Sequence, residues 1–410
     1  MRWFAWLSAL LLALPAAAAA ADPHVDLTLR ADDRSAAPQS LVPATPSGLL
    51  LQAEARGTLR LGAGLALQGN VLLAHQRLDD AGGSDASRVN ELHLAWDLGA
   101  WQLSAGKKVL GWDVGYAFRP NDVVQQEARR TQFEQTPEGR PLLQLEHFDA
   151  DTAWALVLAQ AQNWNDRAAF GAQEAALAAR VYHRVGALDL HGFARQGRHS
   201  GPSLGAAAAW VAGDELELHA SARVFRRHDG WAFTGDALQP AVQLPWQMRT
   251  LGGGSAWLLG AQWTGGPHLS VLAEAWHDGR ALSDREWDDW ATRNAALRAL
   301  AAQAAQGPQA AWRAAAAGNL AWQATPFDAP SLRRDNLFLR LAWQPEDWTL
   351  SIDALVTPAD RGRVLTAALQ WKGDHWRVDA SWRAYGGPAA SLFAQLPLRR
   401  QALLALTRSF

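Results

Sequence analysis

Apolar and polar side chains alternate with a period of two along the chain, in segments of about nine to twelve residues, the length a tilted strand needs to cross a bilayer. Leu65, Leu67, Val71 and Leu73 share one face of such a segment, and Gln68, Asn70 and Gln76 share the other. Leu216, Leu218, Ala220, Ala222 and Val224 alternate with Glu215, Glu217, His219, Ser221 and Arg223. Near the end, Trp376, Val378, Ala380 and Trp382 alternate with Arg377, Asp379, Ser381 and Arg383. Each segment is apolar on one side only, as expected of a strand with water on one face.

A soluble β-sandwich alternates as well, so the connections have to decide. Short breaks fall near Gly62 to Gly64, Gly99 to Ala100, Ala150, Gly186, Gly213, Gly265 to Pro267, Gln344 to Asp347 and Lys372 to Asp374. Between them lie longer ones: Asp32 to Gly48, Arg77 to Ser87, Gly111 to Arg140, Ala161 to Ala172, Gly197 to Ser203, Arg227 to Gly254, Asp278 to Arg334, Thr357 to Arg361 and Gly386 to Arg399. Regular alternation of short and long connections belongs to a transmembrane antiparallel β-barrel, with short turns on the periplasmic side and long loops outside. The count is about eighteen strands, with about sixteen as the alternative, and the mature chain has both ends on the periplasmic side.

Tryptophan is a second test, because bilayer interfaces favour amphipathic rings and the chain has 22 of them. Trp96 and Trp101 bracket one short break, Trp343 and Trp348 another, and Trp371 and Trp376 a third, which predicts a periplasmic girdle. At the C-terminus Ala402, Leu404, Leu406 and Phe410 fall on one face. This segment resembles the last strand of outer-membrane proteins, and the resemblance implies recognition by the barrel assembly machinery. Arg408 stands where an apolar residue is usual, at a rim where its guanidinium can snorkel.

Arg2, the apolar run Trp3 to Leu14 and an alanine tract read as a secretory signal peptide, residues 1–21. The run is too short for a retained helical anchor, which needs roughly 20 residues. Residues 22–410 then form a single outer-membrane barrel domain, since no Pro/Ser-rich spacer, charge block or internal repeat divides them. The chain has no cysteine, which removes disulfides and thiolate metal sites and fits a barrel closed by backbone hydrogen bonds. A net charge of -2 with no basic stripe speaks against a nucleic-acid partner. With only about 25 residues ahead of the strong strands, the folded plug of energy-coupled uptake barrels is not expected.

If the apolar faces meet lipid, the polar faces line a lumen. Its acids are Glu91, Asp97, Glu146, Asp189, Glu217, Asp353 and Asp379, and its bases Lys108, Arg195, Arg223, Arg340, Arg377 and Arg383. Carboxylates prevail early and arginines late, so walls of opposite sign could face each other across the lumen. Locally paired charges without selectivity are the competing expectation.

The densest polar segment, Gly106 to Arg140, carries Arg119, Asp122, Glu127, Arg129 and Arg130 among Trp112, Tyr116, Phe118 and Phe133, and its part from Gly111 to Arg140 is the candidate constriction loop. A solvated surface loop is the alternative. Gly106, Lys107, Trp112, Pro120 and Asp122 resemble a G-K-x-x-x-x-W…P-x-D pattern of porin-like outer-membrane barrels, including alginate-export-type and related uncharacterised families. Asp113 replaces the glycine that usually follows the tryptophan.

In the insertion from Asp278 to Arg334, Ser283 is placed to cap a helix with acids in its first turn and Trp287, Trp290, Leu297 and Leu300 along one face. A second alanine-rich piece surrounds Trp312. Such a hairpin either plugs the barrel mouth or packs on neighbouring loops outside it.

No nucleophile elbow, metalloprotease helix or P-loop occurs, and His93, His191 and His219 complete no Ser/His/acid set by spacing. The expectation is therefore a non-enzymatic channel for a polar or charged small solute or oligomer, without cofactor or metal, in contact with outer-membrane lipid. The alternative is a non-conducting barrel that acts as a binding or assembly partner. A barrel hydrolase ranks below both, and homo-oligomerisation is a habit of many porins that the sequence leaves open.

Overall fold

The computed structural model describes residues 24–38, 40–43, 47–79, 82–125, 137–160, 174–236, 239–302 and 310–410; the expected signal peptide lies outside the described residues. The first eleven strands are β1 (His24–Ala36), β2 (Gly48–Gly62), β3 (Leu65–Leu78), β4 (Gly82–Asp97), β5 (Trp101–Lys108), β6 (Arg140–Phe148), β7 (Thr152–Ala159), β8 (Ala176–Val185), β9 (Leu188–Gly197), β10 (Gly201–Val211) and β11 (Leu216–Phe225). A separate hairpin follows, of β12 (His228–Phe233) and β13 (Trp246–Leu251). The chain then continues through β14 (Gly254–Gly265), β15 (Leu269–Asp278), β16 (Asp335–Trp343), β17 (Trp348–Thr357), β18 (Gly362–Lys372), β19 (Trp376–Gly386) and β20 (Leu398–Ser409). Apart from the hairpin, these strands form one 18-stranded sheet.

Each barrel strand pairs antiparallel with its neighbour in sequence, and β11 passes to β14 across the hairpin. β20 closes on β1, from Asp26↔Ser409 to Ala36↔Leu398. Val25 and Phe410 exchange backbone hydrogen bonds, so the two described ends meet on the side of the short turns. Closure leaves the sheet without a free edge, the condition for a β-structure to sit in hydrocarbon. The two-residue turn between β8 and β9 shows how the short side is made: Gly186 takes φ +60°, a left-handed conformation without steric cost for glycine.

Parity along the strands follows the sequence pattern. On β17 the outward Leu350 and Ile352 are exposed while Ser351 and Thr357 are buried inside. Trp96, Trp101, Trp343, Trp348 and Trp376 ring the short-turn end, and Trp210 and Trp263 extend the same girdle. Arg408 faces outward there, its guanidinium 5.1 Å from the Trp376 ring centroid and 4.6 Å from that of Phe410. These cation–π contacts let a charge occupy an apolar position.

The structure departs from the sequence reading at three places on the long-loop side. The strands β1 to β4 run 13 to 16 residues, so pairing extends into the stretches Asp32 to Gly48 and Arg77 to Ser87 expected as loops. Past the bilayer a strand needs no apolar face to keep its ladder, so period-two hydrophobicity fades before the pairing does. The expected loop Arg227 to Gly254 contains the β12–β13 hairpin. In the insertion, α1 (Asp284–Ala302) and α2 (Ala310–Trp322) form as expected. Ser283 caps α1 reciprocally with Glu286: the Glu286 carboxylate accepts from the Ser283 backbone N–H at 2.7 Å, and Ser283 Oγ accepts from the Glu286 N–H at 3.3 Å.

The buried Trp287 and Trp290 pack with Val42, Trp246, Phe327, Leu332, Leu392 and Phe393, and with Val364 on the inner face of β18. The helices thus join the other long loops in a cap over the mouth on the β17–β19 side, rather than standing apart from the barrel.

Because Leu259 and Gln262 on β14 face lipid and lumen respectively, Leu259→Arg is expected to destabilise the folded barrel by about 2–4 kcal/mol, and Gln262→Arg by under about 1 kcal/mol. Urea unfolding from phospholipid vesicles measures both; equal losses would contradict the assigned parity.

A loop fastened inside the lumen

The segment after β5 folds inward and runs along the inner wall. Where it lies, the wall is apolar. Trp112, Val123 and Val124 pack on Leu142, Ala155, Val157, Ala178, Phe193 and Ala207, inward residues of β6 to β10. Further on, Phe118 stacks on Trp276 of β15 with centroids 5.6 Å apart. Water would solvate these wall residues poorly, so their burial drives the loop onto the wall.

Polar fastenings fix its register. Asp122 Oδ1 accepts the backbone N–H groups of Trp112 (2.8 Å) and Asp113 (3.2 Å), which closes the segment on itself. Asp113 accepts from the Asn121 N–H at 2.5 Å and from the Ser221 hydroxyl of β11 at 2.7 and 2.8 Å. Asn121 Nδ2 donates to Ser221 Oγ at 2.8 Å and to the backbone carbonyl of Ala222 at 3.1 Å. The Asn121 side chain fills the space where a Cβ on Gly205 would stand, 1.7 Å from its Oδ1.

The tip is held by Glu274 of β15, whose two oxygens accept the N–H groups of Tyr116 (2.6 Å) and Ala117 (2.7 Å). His219 reaches the same carboxylate at 2.9 Å across the intervening Gly260, which pairs with both residues and leaves the ring its space.

The expected site residues divide around this loop. Arg223 donates to the Pro120 carbonyl at 3.4 Å and to Ser203 at 3.0 Å, so it braces the segment from the wall. Arg340 of β16 donates to the Tyr116 hydroxyl at 2.5 Å and lies 3.4 Å from Asp353. Arg340, Asp353, Thr366 and Arg383 form one cross-strand row over β16 to β19, in which Arg383 Nε donates to Thr366 at 2.9 Å. Within the loop, Arg119 donates to the Gly115 carbonyl at 2.7 Å. Lys108 donates to Gln144 at 2.8 Å and lies 3.9 Å from Glu146, on the wall at the loop's root. Arg195 pairs with Glu174 at 2.7 Å. Arg377 is not brought to the loop: it pairs with Asp379 on its own strand, toward the short-turn end. Glu127, Arg129 and Arg130 lie outside the described residues.

Charges of opposite sign therefore meet on the same stretch of wall, as Lys108 with Glu146, Arg340 with Asp353 and Arg377 with Asp379, rather than only across the lumen. Among the described residues no cluster of three or more His, Asp or Glu side chains is arranged to hold a metal ion.

Sequence reasoning passed over Asn121, Ser221 and Glu274 as fastenings, since a carboxylate that accepts two distant backbone N–H groups leaves no local pattern. A signal for the covered wall was present: Trp154 to Ala159 is apolar on both faces, a break in the dyad that requires an inner cover.

The loops behind this segment are tied by two buried groups. The Arg140 guanidinium donates to the carbonyls of Val124 (2.6 Å), Gln160 (2.8 Å) and Glu174 (2.7 Å). Burial alone would raise the Glu174 carboxyl, but hydrogen bonds from the Ser200 hydroxyl, the His199 and Ser200 N–H groups and Arg195 outweigh it and hold the pKa down to about 2.

No sequence-family model matches the chain, and no curated protein sequence is similar to it. Solved structures do share its fold. Acinetobacter baumannii OccAB1 superposes with a TM-score of 0.55 at 11% identity, over 95% of this chain and 96% of that one. Pseudomonas aeruginosa OccK8 (OprE) gives 0.53 at 10% identity over 95% and 98%. P. aeruginosa OpdK, solved with vanillate, gives the same score, identity and coverage. The fold is thus that of an outer-membrane porin-type barrel.

The likeness to alginate-export-type barrels drawn from Gly106 to Asp122 is not supported. Those residues are accounted for by the loop's own architecture: Lys107 is bound to Glu138 at 2.8 Å, Trp112 is packed on the wall and Asp122 caps the turn.

A carboxylate with a depressed pKa stabilises the folded form fully above its unfolded value, near 4.5, and loses that contribution as pH falls toward about 2. The hydrogen-exchange protection factors of the segments around Glu174 and Ser200, taken relative to intrinsic exchange at each pH, should fall as pH drops through that window, and Glu174→Gln should remove this pH dependence of protection. Unchanged protection factors down to about pH 2 would refute the anchor.

Proposed function

We propose that the chain is an outer-membrane channel for a polar or charged small solute, with the loop after β5 as its constriction. The observation that carries this reading is the inward loop, fastened by Glu274, Ser221 and Arg223 to one side of the barrel. It covers the apolar wall, and polar walls stand beside it: the row Arg340–Asp353–Thr366–Arg383, of which Arg340 and Asp353 are partly exposed, and a buried ladder in which Arg30 donates to Glu54, Asn70 to Glu54 at 2.6 Å and Asn90 to Asn70 at 3.0 Å. Tyr116, half-exposed at the loop tip, and Arg340 form the edge a solute would pass. Residues of both signs along this path suit a solute with separated polar groups, and no bond chemistry is involved. OpdK, of like fold, was solved with vanillate, a small aromatic carboxylate.

The cap of α1, α2 and neighbouring loops favours a second reading, a barrel sealed at its mouth that acts as a binding or assembly partner. Planar-bilayer recordings separate the two. The channel reading expects steps in the wild type and a severalfold larger conductance when Asp113 to Asn121 is replaced by a short Gly/Ser linker. Silence of both proteins, with conductance appearing only on removal of Asp284 to Trp322, would establish the sealed barrel instead.

Glu274→Gln weakens the acceptor for two backbone N–H groups and the partner of His219, each charge-assisted bond being worth about 1.5–3 kcal/mol. It is expected to raise current noise and protease cleavage near Tyr116 without unfolding the barrel. A quiet, protease-resistant variant would show that the tip does not depend on this carboxylate.

A further inference from the structure

On the lipid-facing side of the barrel, the margin toward the long loops carries ionisable residues in several sectors, and in two of these an outward histidine is bonded to an outward carboxylate. At β3 and β4 the outward His75 bonds Asp85 at 2.7 Å, and at β15 and β16 the outward His277 bonds Asp335 at 2.7 Å.

The sector of β18 to β20 differs. Arg363 and Arg400 project outward at that margin and are exposed, with Arg361 and Arg399, also exposed, beside them in the chain. Arg400 donates to Ser35 Oγ at 3.1 Å, and among the described residues none of these four has a carboxylate within ion-pair distance. Asp360, next in sequence to Arg361, is turned inward to Arg333 and the Leu392 N–H. The nearest outward carboxylate is the exposed Asp33 on β1, which leaves the sector with an excess of positive charge.

The register places this charge. Leu365, Ala384 and Arg400 form one cross-strand row, with Arg363 two residues beyond it on β18. Two strand spacings and one dyad put the Cα atoms of Arg363 and Arg400 about 12 Å apart. Immediately below them begins the apolar belt, with the exposed Leu365, Trp382 and Leu404. The arginines thus stand where lipid headgroups meet the barrel wall, and in the outer leaflet of a bacterial outer membrane those headgroups are phosphorylated glycolipids.

We propose that Arg363 and Arg400, flanked by Arg361 and Arg399, form a docking site on the outer wall for the phosphate groups of an outer-leaflet glycolipid. Guanidinium forks bind phosphate oxygens in paired hydrogen bonds, and the belt beneath receives the acyl chains of the same molecule. The two arginines are far enough apart to engage two phosphates of one headgroup. This site is independent of the lumen and does not rest on the channel reading.

The test is native mass spectrometry of the full-length barrel in detergent, titrated with a bis-phosphorylated lipid A and with its dephosphorylated form. The wild type should retain the phosphorylated lipid at least about fivefold better than R363E/R400E, with R363K/R400K intermediate. R184E, which alters an exposed arginine at the opposite end of the barrel, should bind as the wild type does. The dephosphorylated lipid should not distinguish wild type from R363E/R400E.

Heat-modifiable electrophoretic mobility reports that each variant is folded. Undiminished lipid retention by folded R363E/R400E would overturn the proposal. So would displacement of the lipid by inorganic phosphate at equal concentration, which would make this a site for the free ion.

Discussion

A polypeptide that crosses hydrocarbon has to pair every backbone N–H and C=O within itself, because no water is available to do so. In this protein that requirement is met by the pairing of β20 with β1, which converts a meander of eighteen strands into a cylinder. Most other features follow from closure. A closed sheet has one outer and one inner face, strict alternation assigns each side chain to one of them, and an even strand count brings both ends to the same side. The Trp girdle and the outward Arg408 are then adjustments at the boundary between hydrocarbon and water.

The inner face poses a different problem, since a lumen of this size is lined by more wall than side chains alone can fill. One part of the wall is polar and satisfies its own hydrogen bonds, as in the buried Arg30–Glu54–Asn70–Asn90 ladder. The other part, from β6 to β10, is apolar, and it is covered by a segment of the chain itself. That cover brings its own backbone groups into the barrel, and they too need partners. Glu274, Asp113 and Asp122 supply acceptors, Arg223 supplies a donor, Asn121 donates in turn to the wall, and Gly205 and Gly260 supply the space. The inner loop is thus a packed element with a hydrophobic underside, and its polar fastenings determine where Tyr116 stands.

Much of this was legible in the order of residues. The dyads around Leu216 to Val224 and Trp376 to Arg383, the eight short and nine long breaks, and the tryptophans beside the turns all report on the bilayer, a uniform environment that imposes the same rule on every strand. Ser283 and Glu286 are a local pair, so the start of α1 could be read from four residues. The extension of β1 to β4 was not legible, because outside the bilayer the rule that made strands visible no longer operates. Nor was the β12–β13 hairpin, whose Trp246 is buried and Trp231 partly buried by a cap assembled from distant loops.

By itself the sequence determined the fold class, the face on which the residues of the apolar–polar dyads lie and the end of the barrel at which each connection emerges, because these depend on periodicity and on a solvent that is the same everywhere. Only the tertiary structure decided which wall the inner loop covers, that Glu274 rather than Glu217 receives its backbone, and that Arg340 meets Tyr116 while Arg377 turns to its own neighbour. Those outcomes depend on contacts between residues up to 224 positions apart, whose energy exists only once the cylinder has closed.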